Sequence, residues 1–322
     1  MYNIVDIKRV HLEISSLCNA ACPLCPRNYH GYPYNNGYVE RNLTLTEVQQ
    51  IFSVAFIKQL VRVRINGNYR DMIMNPEAAD IVYYLRSANA DLYIEISTNG
   101  GARAADFWIQ LARLKATVVF CLDGLEDTHS LYRQNTLYST VITNAKTFIA
   151  HGGHAIWKFI PFDHNRHQIE LARKTSQDLN FAGFVVTDYG RADTPVFNKN
   201  KELSHIIGTP NNTIFNPGGG NRFIPIDTQI KTPINCEVLG LNEIFISSEG
   251  KLYPCCYIGC SVMDSPNPKY QQIRAIEQEN SALEYSMEHC IQWFNRIEDT
   301  WNKESFESGR LLTCNDTCGA VQ

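Results

Sequence analysis

Residues 16–27 read SLCNAACPLCPR and hold three cysteines, Cys18, Cys22 and Cys25, directly after the apolar run Val10–Ser15. Iron-sulfur clusters are held by cysteine thiolates, commonly four, so three ligands without an obvious fourth leave one iron open to another group. An open position is typical of a catalytic site, whereas structural zinc prefers four protein ligands. We therefore predict a catalytic iron-sulfur cluster, with a zinc knuckle or a set of buried thiols as the alternatives.

Short β-rich runs alternate with segments of helical period between residues 9 and 188, which is the pattern of βα units around a parallel sheet. The predicted strands are Val10–Ser15, Val61–Asn66, Leu92–Thr98, Thr117–Asp123, Ala155–Phe162 and Phe184–Asp188. The first predicted helix begins near Thr44, where Glu47 can complete a capping box. The other predicted helices cover Glu77–Ala88, Asp106–Leu114, Leu137–His151 and Gln168–Leu179. We expect an α/β fold, a partial (β/α)6 TIM-like barrel whose active site lies at the C-terminal ends of the strands.

The composition excludes several classes of protein. The chain has 322 residues, a net charge of -4 and a pI near 6.1, so it shows no strong nucleic-acid signal. The sequence has neither a secretory signal at its start nor an apolar run long enough for a membrane, which predicts a cytoplasmic protein. Eleven cysteines are many for a reducing compartment, and metal ligation explains them better than disulfides.

Residues after 207 are rich in Asn, Pro, Gly and Thr, including PNN and NPGGGN, which breaks the βα pattern. We predict a barrel domain at 1–210, a linker at 211–235, and a small cysteine-rich iron-sulfur domain at 236–322. The segment IFISSEGKLYPC, residues 244–255, predicts a β-hairpin in that last domain, and a helical stretch follows around 280–305.

The cysteine triplet after the first strand of a six-unit partial barrel resembles the signature of the radical S-adenosylmethionine (SAM) superfamily. The resemblance implies that SAM occupies the open iron of a [4Fe-4S] cluster held by Cys18, Cys22 and Cys25. It further implies reductive cleavage of SAM to a 5'-deoxyadenosyl radical, with a flavodoxin or ferredoxin-type protein as reductant. Leu24 stands where the backbone meets the adenine in that superfamily.

Two further segments follow predicted strands. INGNYRDM, residues 65–72, is similar to the superfamily's glycine-rich segment that binds the SAM amino group, which implicates Gly67, Asn68 and Asp71. Arg70 and Met72 replace the usual Gly and Pro. STNGG, residues 97–101, is similar to the Thr-Asn-Gly near the ribose or substrate, which implicates Thr98 and Asn99. The alternative for both segments is an ordinary turn.

The segment FCLDGLEDTHSLYR, residues 120–133, resembles the Ser-x-Asp-Gly and later Tyr-Arg pattern of peptide-modifying and twitch-bearing radical SAM enzymes. Cys121 takes the place of the usual Ser, and Arg133 would bind the SAM carboxylate through its guanidinium group. The alternative for Cys121 is a small buried strand residue. No catalytic acid or base is predicted.

The C-terminal cysteines resemble a twitch domain, a shortened SPASM domain that binds one auxiliary [4Fe-4S] cluster. The predicted ligands are the hairpin pair Cys236 and Cys255 and the later pair Cys314 and Cys318. Because successive side chains of an extended chain alternate faces, Cys255 and Cys256 do not easily reach one cluster, and Cys255 is chosen on spacing. Structural zinc or scattered buried cysteines are the alternatives.

These resemblances imply an oxidoreductase with two [4Fe-4S] clusters and SAM that abstracts hydrogen from a small polar substrate. Oxidation, decarboxylation, rearrangement and epimerisation all begin in this way. A maturase of a ribosomal peptide is the second hypothesis, although no peptide-binding module precedes Val10 in this sequence. The third hypothesis is an iron-sulfur or zinc protein for binding or electron transfer without SAM chemistry.

Overall fold

The computed structural model describes residues 3–25, 27–33, 39–68, 70–187, 193–198, 200–208, 233–260 and 268–319. Its strands are β1 (Arg9–Leu12), β2 (Asn28–Tyr29), β3 (Tyr32–Pro33), β4 (Arg62–Ile65), β5 (Tyr93–Thr98), β6 (Thr117–Cys121), β7 (His154–Phe159), β8 (Gly183–Val186), β9 (Thr194–Phe197), β10 (Leu203–Ile207), β11 (Glu243–Ile246) and β12 (Leu252–Tyr253).

The α-helices of the same residues are α1 (Leu45–Ile51), α2 (Val54–Gln59), α3 (Ala78–Ala88), α4 (Ala105–Arg113), α5 (His129–Tyr132), α6 (Tyr138–Ala150), α7 (Ile169–Asp178), α8 (Glu237–Gly240), α9 (Cys256–Gly259), α10 (Pro268–Ile276), α11 (Met287–Ile291), α12 (Phe294–Trp301) and α13 (Leu312–Cys318). Three short 3₁₀ helices lie at Ile4–Asp6, Met72–Met74 and Arg166–Gln168. No helix of the described segments is long and apolar enough to cross a bilayer.

The main sheet has eight strands in the order β12-β11-β1-β4-β5-β6-β7-β8, and every neighbouring pair except β11 and β12 is parallel. The six predicted strands are β1 and β4 to β8, so the predicted α/β partial barrel is confirmed. The Thr44 and Glu47 capping box is also confirmed. The predicted end of the sixth strand, Asp188, and most of the predicted linker lie outside the described residues.

Several elements were not predicted from the sequence. The antiparallel pair β9 and β10 follows the sixth barrel strand, and the short helix α5 lies inside the segment that contains Arg133. The first predicted helix is divided in two, because α1 ends before Phe52 and a new helix, α2, begins after Ser53. The Ser53 side chain caps α2 by accepting a hydrogen bond from the Phe56 N–H.

The two faces of the barrel strands differ in chemistry, because successive side chains point to opposite faces. One face of β4 carries the buried Val63 and Ile65, which pack in the main hydrophobic core with residues of the helices. The opposite face, here called the inner face, carries Arg62 and Arg64 on β4. On the neighbouring strands, further polar side chains lie on the same face. They include His11, Glu95, Thr117, Cys121, Lys158 and Glu243.

The C-terminal hairpin of β11 and β12 belongs to the same sheet as the barrel strands. β11 lies parallel to β1, with Arg9 opposite Glu243 and Leu12 opposite Ile246. A Cβ added to Gly259 of α9 would lie 2.3 Å from the ring of Phe245, a residue of the inner face. The helix that begins at Cys256 therefore packs against the inner face of this hairpin.

Candidate functional site

The first cysteine loop leaves the C-terminal end of β1 and is held by its own backbone. The Cys25 N–H donates to the Cys22 carbonyl at 3.0 Å, which closes a turn around the second and third cysteines. Asn28 Nδ2 donates to the same carbonyl at 3.1 Å, and Arg27 Nη1 donates to the Cys18 carbonyl at 2.8 Å. All three cysteines are free thiols in one small apolar cluster, so the fold brings the predicted ligands together.

N–H donors from different parts of the chain point at these sulfur atoms. The Ala20 N–H lies 3.4 Å from Cys18 Sγ, and Asn99 Nδ2 lies 3.6 Å from the same atom. Arg133 Nη1 lies 3.7 Å from Cys22 Sγ. Hydrogen bonds to a charged form stabilise it, so these donors would favour thiolates over thiols.

Without a bound cation the thiols favour the protonated form. Burial, together with the charges of Asp71 and Cys22, raises the pKa of Cys18 to about 12. Burial also raises the pKa of Cys25, against the opposing influence of Arg27 and Arg70. Because thiolates are the metal ligands, a positively charged centre is what this donor set requires to release its protons.

Asp71 joins the loop after β4 to the end of β5. Its Oδ1 accepts hydrogen bonds from Thr98 Oγ1 at 2.8 Å and from the Ile73 N–H at 3.2 Å, while Oδ2 accepts from the Asn99 N–H at 2.6 Å. Burial raises the pKa of this carboxyl, although all three hydrogen bonds favour the ionised form. The predicted residues Asp71, Thr98 and Asn99 therefore form one connected group next to Cys18.

Gly67 and Asn68 occupy the turn before Asp71. A Cβ on Gly67 would lie 2.2 Å from the carbonyl oxygen of Arg70, so this turn requires glycine. Asn68 Nδ2 does not contact Asp71 and instead donates to the carbonyl of Cys256 at 2.8 Å. The Asn68 side chain is thus hydrogen-bonded to the cysteine-rich C-terminal region.

Arg70, the residue before Asp71, reaches the first cysteine loop. Its Nε donates to the Ser16 carbonyl, two residues before Cys18. The side chain is buried, and its charge lies close enough to Cys25 to lower the pKa of that thiol. Arg70 therefore places a cation beside the cysteine loop.

Arg133 is anchored by a buried carboxylate. Its Nε donates to Asp123 Oδ2 at 2.7 Å, and Asp123 Oδ1 accepts the Ile160 N–H at 2.6 Å. Burial alone would lower the pKa of Arg133, but the charges of Asp123, Cys22 and Cys121 raise it well above its ordinary value. The guanidinium group is therefore a fixed cation beside Cys22.

Cys121 lies on the inner face at the end of β6, in register with Lys158 of β7. Burial raises the pKa of its thiol, and the charges of Arg133 and Lys158 oppose that shift. Leu24 packs with Tyr132 and Phe162 in the apolar cluster that contains the three cysteines. Both predicted residues therefore lie in the surroundings of the first cysteine loop.

The second cysteine site is a small cavity of about 30 Å³ near the C-terminus, with all four predicted ligands in its wall. The rest of the wall is apolar or hydroxylic, and no carboxylate or imidazole of the described residues lines it. The lining residues are Ile234, Cys236, Val238, Pro254, Cys255, Tyr257, Ile258, Ile297, Trp301, Thr313, Cys314, Thr317 and Cys318. A hydrogen bond with the Cys318 thiol lowers the pKa of Cys236 to about 7.

The neighbouring Cys255 and Cys256 face different surroundings. Cys255 lines the cavity, and the charged groups close to it are the other cysteines of that site and Cys256. Burial raises the pKa of Cys256 to about 11, and its charged neighbours are Arg64, Glu243 and Glu13. The Cys256 thiol therefore faces the polar side chains of the barrel.

Among the described residues, no three His, Cys, Asp or Glu side chains converge as ligands of one metal ion. The ligands of an iron-sulfur cluster bind different iron atoms, so they need not meet at one point. Of the remaining cysteines, Cys290 is fully buried in the hydrophobic core.

Sequence reasoning gave no role to Asp123, Arg70, Arg27 or Asn19. Asn19 Oδ1 accepts a hydrogen bond from Asn99 Nδ2 at 2.9 Å, which is a second link between the cysteine loop and the end of β5. Asp123 stood inside a quoted motif, so its spacing from Arg133 was an available signal. The roles of the other three depend on loops that come together only in the folded chain.

Comparison with known proteins supports the same fold. No family model and no curated protein matches the chain. The fold is similar to that of SuiB from Streptococcus suis bound to S-adenosylmethionine, with a TM-score of 0.59 and 14% identity over 88% of this chain and 65% of SuiB. The chain thus spans slightly less than two thirds of that protein.

Two further structures agree. SuiB bound to its precursor peptide SuiA has a TM-score of 0.56 and 16% identity over 96% of this chain and 77% of that one. A histidine-tagged form of anSMEcpe with bound AdoMet has a TM-score of 0.55 and 13% identity over 98% of this chain and 88% of that one. The chain therefore shares the fold of these proteins, and this fold is the partial barrel that the sequence predicts.

Proposed function

We propose that the chain is a radical SAM enzyme whose catalytic cluster is held by Cys18, Cys22 and Cys25. The observation that carries the proposal is the convergence on this loop of side chains from three other strand ends. Asn99 reaches Cys18 Sγ, Arg133 reaches Cys22 Sγ, and Asp71 bonds to Asn99. Three thiols surrounded by fixed N–H donors and cations fit a [4Fe-4S] cluster with one open iron.

When bound, the cluster and SAM would supply the 5'-deoxyadenosyl radical that abstracts hydrogen from the substrate. The residues of the chain would bind and orient SAM. Asp71 accepts three hydrogen bonds at about four acceptor positions of a carboxylate, which leaves one position at Oδ2 for the SAM amino group. Arg133 uses Nε for Asp123 and Nη1 for Cys22, which leaves Nη2 for the SAM carboxylate.

The remaining predicted contacts have supporting roles in this proposal. Leu24 and Gly67 provide backbone at the adenine and at the turn before Asp71. Thr98 holds Asp71, because its Oγ1 donates to the carboxylate at 2.8 Å. Cys121 faces the interior next to Arg133, where a substrate or the ribose would lie.

We further propose an auxiliary [4Fe-4S] cluster at Cys236, Cys255, Cys314 and Cys318. Four thiols around one apolar cavity supply the complete ligand set of such a cluster. Structural zinc would use the same set of four thiolates, so metal analysis distinguishes the two centres. Residues 236–322 would then form a twitch-like unit after a barrel at 1–210 and a linker at 211–235.

The proposed substrate is a small polar molecule bound at the inner face of the sheet. At the C-terminal ends of β6 and β7 this face carries Cys121 and Lys158 in register, close to Arg133. Such a lining favours hydrogen-bonding substrates over apolar ones. A flavodoxin or ferredoxin-type protein is the proposed reductant, and a cytoplasmic location fits reduced cysteines.

A peptide substrate is the second candidate. SuiB has been solved with its precursor peptide SuiA, and anSMEcpe with the Cp18Cys peptide. The third candidate, an electron-transfer or zinc protein, does not explain why Asp71, Asn99 and Arg133 are arranged around the first loop.

The test is 5'-deoxyadenosine formation by anaerobically reconstituted, dithionite-reduced protein with SAM. The wild type should form the nucleoside and hold about eight irons, falling to about four in a Cys18→Ala/Cys22→Ala/Cys25→Ala variant that forms none. Full iron loading without SAM binding or cleavage would reject the enzyme in favour of an electron-transfer protein.

A further inference from the structure

The loop after β4 contacts the cysteine-rich C-terminal region directly. Asn68 Nδ2 donates to the carbonyl oxygen of Cys256 at 2.8 Å across 188 positions of sequence. Four residues earlier in the chain, Arg64 pairs with Glu243 of β11 at 2.8 Å. Two polar contacts thus join the strand and loop of the proposed SAM site to the region of the second cysteine site.

On the C-terminal side, the contacted carbonyl is fixed to the second cysteine site. The Cys256 carbonyl also accepts the Cys260 N–H, which closes the single turn of α9. Within that turn Ile258 lines the cysteine cavity and Gly259 packs against Phe245. Cys255, which lines the same cavity, is the N-cap residue of this turn, and its carbonyl accepts the Gly259 N–H at 3.0 Å.

On the barrel side, Asn68 lies in a turn that is attached to the first cysteine loop. The carbonyl oxygen of Arg70 lies against Gly67, where an added Cβ would be 2.2 Å from it. Arg70 Nε donates to the Ser16 carbonyl. The Asp71 N–H donates to the Leu17 carbonyl at 3.0 Å. Contacts of Gly67, Asn68, Arg70 and Asp71 therefore link the first cysteine loop to the turn that follows Cys255.

We propose that Asn68 is a positioning residue that couples SAM binding at the first site to cluster binding at the second. The inference rests on the proposed function. A cluster ligand at Cys255 fixes the following peptide, and the hydrogen bond from Asn68 then holds the turn before Asp71 in its SAM-binding geometry. By linkage, SAM strengthens cluster retention at the second site by the same factor as the cluster strengthens SAM binding.

The test is SAM affinity, measured by equilibrium dialysis on the full reconstituted chain. Asn68→Ala and Cys314→Ala should each weaken SAM binding about fivefold, the equivalent of one net hydrogen bond. The double variant should be no weaker than either single variant, because both changes break the same connection. Asn89→Ala is the matched control, since Asn89 Nδ2 donates to the Leu60 carbonyl at 3.0 Å, away from both sites, and SAM affinity should be unchanged.

A spectroscopic measurement separates positioning from direct contact. In the wild type, SAM should change the electron paramagnetic resonance signal of the reduced second cluster, and Asn68→Ala should abolish that change while the iron count stays at about eight. An undiminished effect of Asn68→Ala in the Cys314→Ala background would show that Asn68 binds SAM directly and would overturn the coupling. Equal SAM affinity in Cys314→Ala and wild type would also overturn it, whereas a wild type that binds no SAM rejects the proposed function itself.

Discussion

Arg133 and Asp123 form a buried ion pair in which Arg133 Nε lies 2.7 Å from Asp123 Oδ2, with side chains 15% and 0% exposed. The pair connects α5 and its cap to the end of β6. It also fixes the orientation of a guanidinium group whose Nη1 points at Cys22 Sγ. The charge that the proposed SAM carboxylate would meet is therefore oriented before any ligand binds.

Asp123→Asn should destabilise the protein by about 3 kcal/mol, because it removes one partner of a buried ion pair and leaves the charge of Arg133 uncompensated. The amide oxygen can still accept the Ile160 N–H, so the change isolates the lost charge. Urea denaturation measures the difference in the free energy of unfolding. Asp178→Asn is the control: its pair with Lys174 is 60% and 67% exposed, and the change should cost less than about 0.5 kcal/mol. Equal losses in the two variants would contradict the role of the buried pair.

Single replacement of Cys236, Cys255, Cys314 or Cys318 by Ala should remove about four irons from the reconstituted protein, since each would open the auxiliary cluster. Cys256→Ala should retain all of them, because that thiol faces Arg64 and Glu243. Iron and zinc analysis after reconstitution gives the result. Cys290→Ala, at a core position without a proposed ligand role, serves as the control for cysteine loss. Loss of iron in Cys256→Ala but not in Cys255→Ala would reverse the assignment, and one zinc per chain at this site would favour structural zinc.

Gly67→Ala should weaken SAM binding at least about tenfold, because a methyl group 2.2 Å from the Arg70 carbonyl forces the turn before Asp71 to open. Calorimetric titration with SAM provides the measurement. In the control, Gly183→Ala of β8, the new Cβ would lie 3.8 Å from Ile156, an ordinary contact, and SAM affinity should not change. Unchanged affinity in Gly67→Ala would mean that this turn takes no part in the site.

The stability of the fold should decrease as the pH falls below about 6.5. Burial lowers the pKa of His129 to about 4, with Asp123 opposing the shift and Arg133 adding to it. The unfolded chain binds this proton near pH 6.5, whereas the folded chain resists it until about pH 4. Stability is therefore complete above pH 6.5 and is progressively lost towards pH 4, by up to about 3 kcal/mol for this one group.

Urea denaturation at several pH values should show a smaller slope between pH 6.5 and 4 in His129→Gln than in the wild type. The Gln side chain can still hydrogen-bond Thr136, the partner of His129 Nε2 at 3.0 Å. His151→Gln is the control, because that side chain is exposed at the end of α6 and its replacement should leave the slope as it is. An unchanged slope in His129→Gln would show that other groups cause the dependence.

Much of the barrel follows from local sequence patterns. The alternation of β-rich runs and helical periods located β1 and β4 to β8, and Thr44 with Glu47 located the start of α1. Strand ends were less well predicted because side-chain periodicity continues into the loops. The strand β1, for example, ends at Leu12, whereas the predicted strand continued to Ser15.

The amino-acid sequence by itself determined the repeated βα units and the two groups of cysteines, because periodicity and spacing are local properties of the chain. Only the tertiary structure decided that β11 joins the barrel beside β1, that Arg70 reaches the first cysteine loop, and that Asn68 reaches Cys256. It also directed Cys255 and Cys256 towards different surroundings. Such contacts join residues far apart in sequence, and they depend on how the packed sheet and loops share space, which no local pattern encodes.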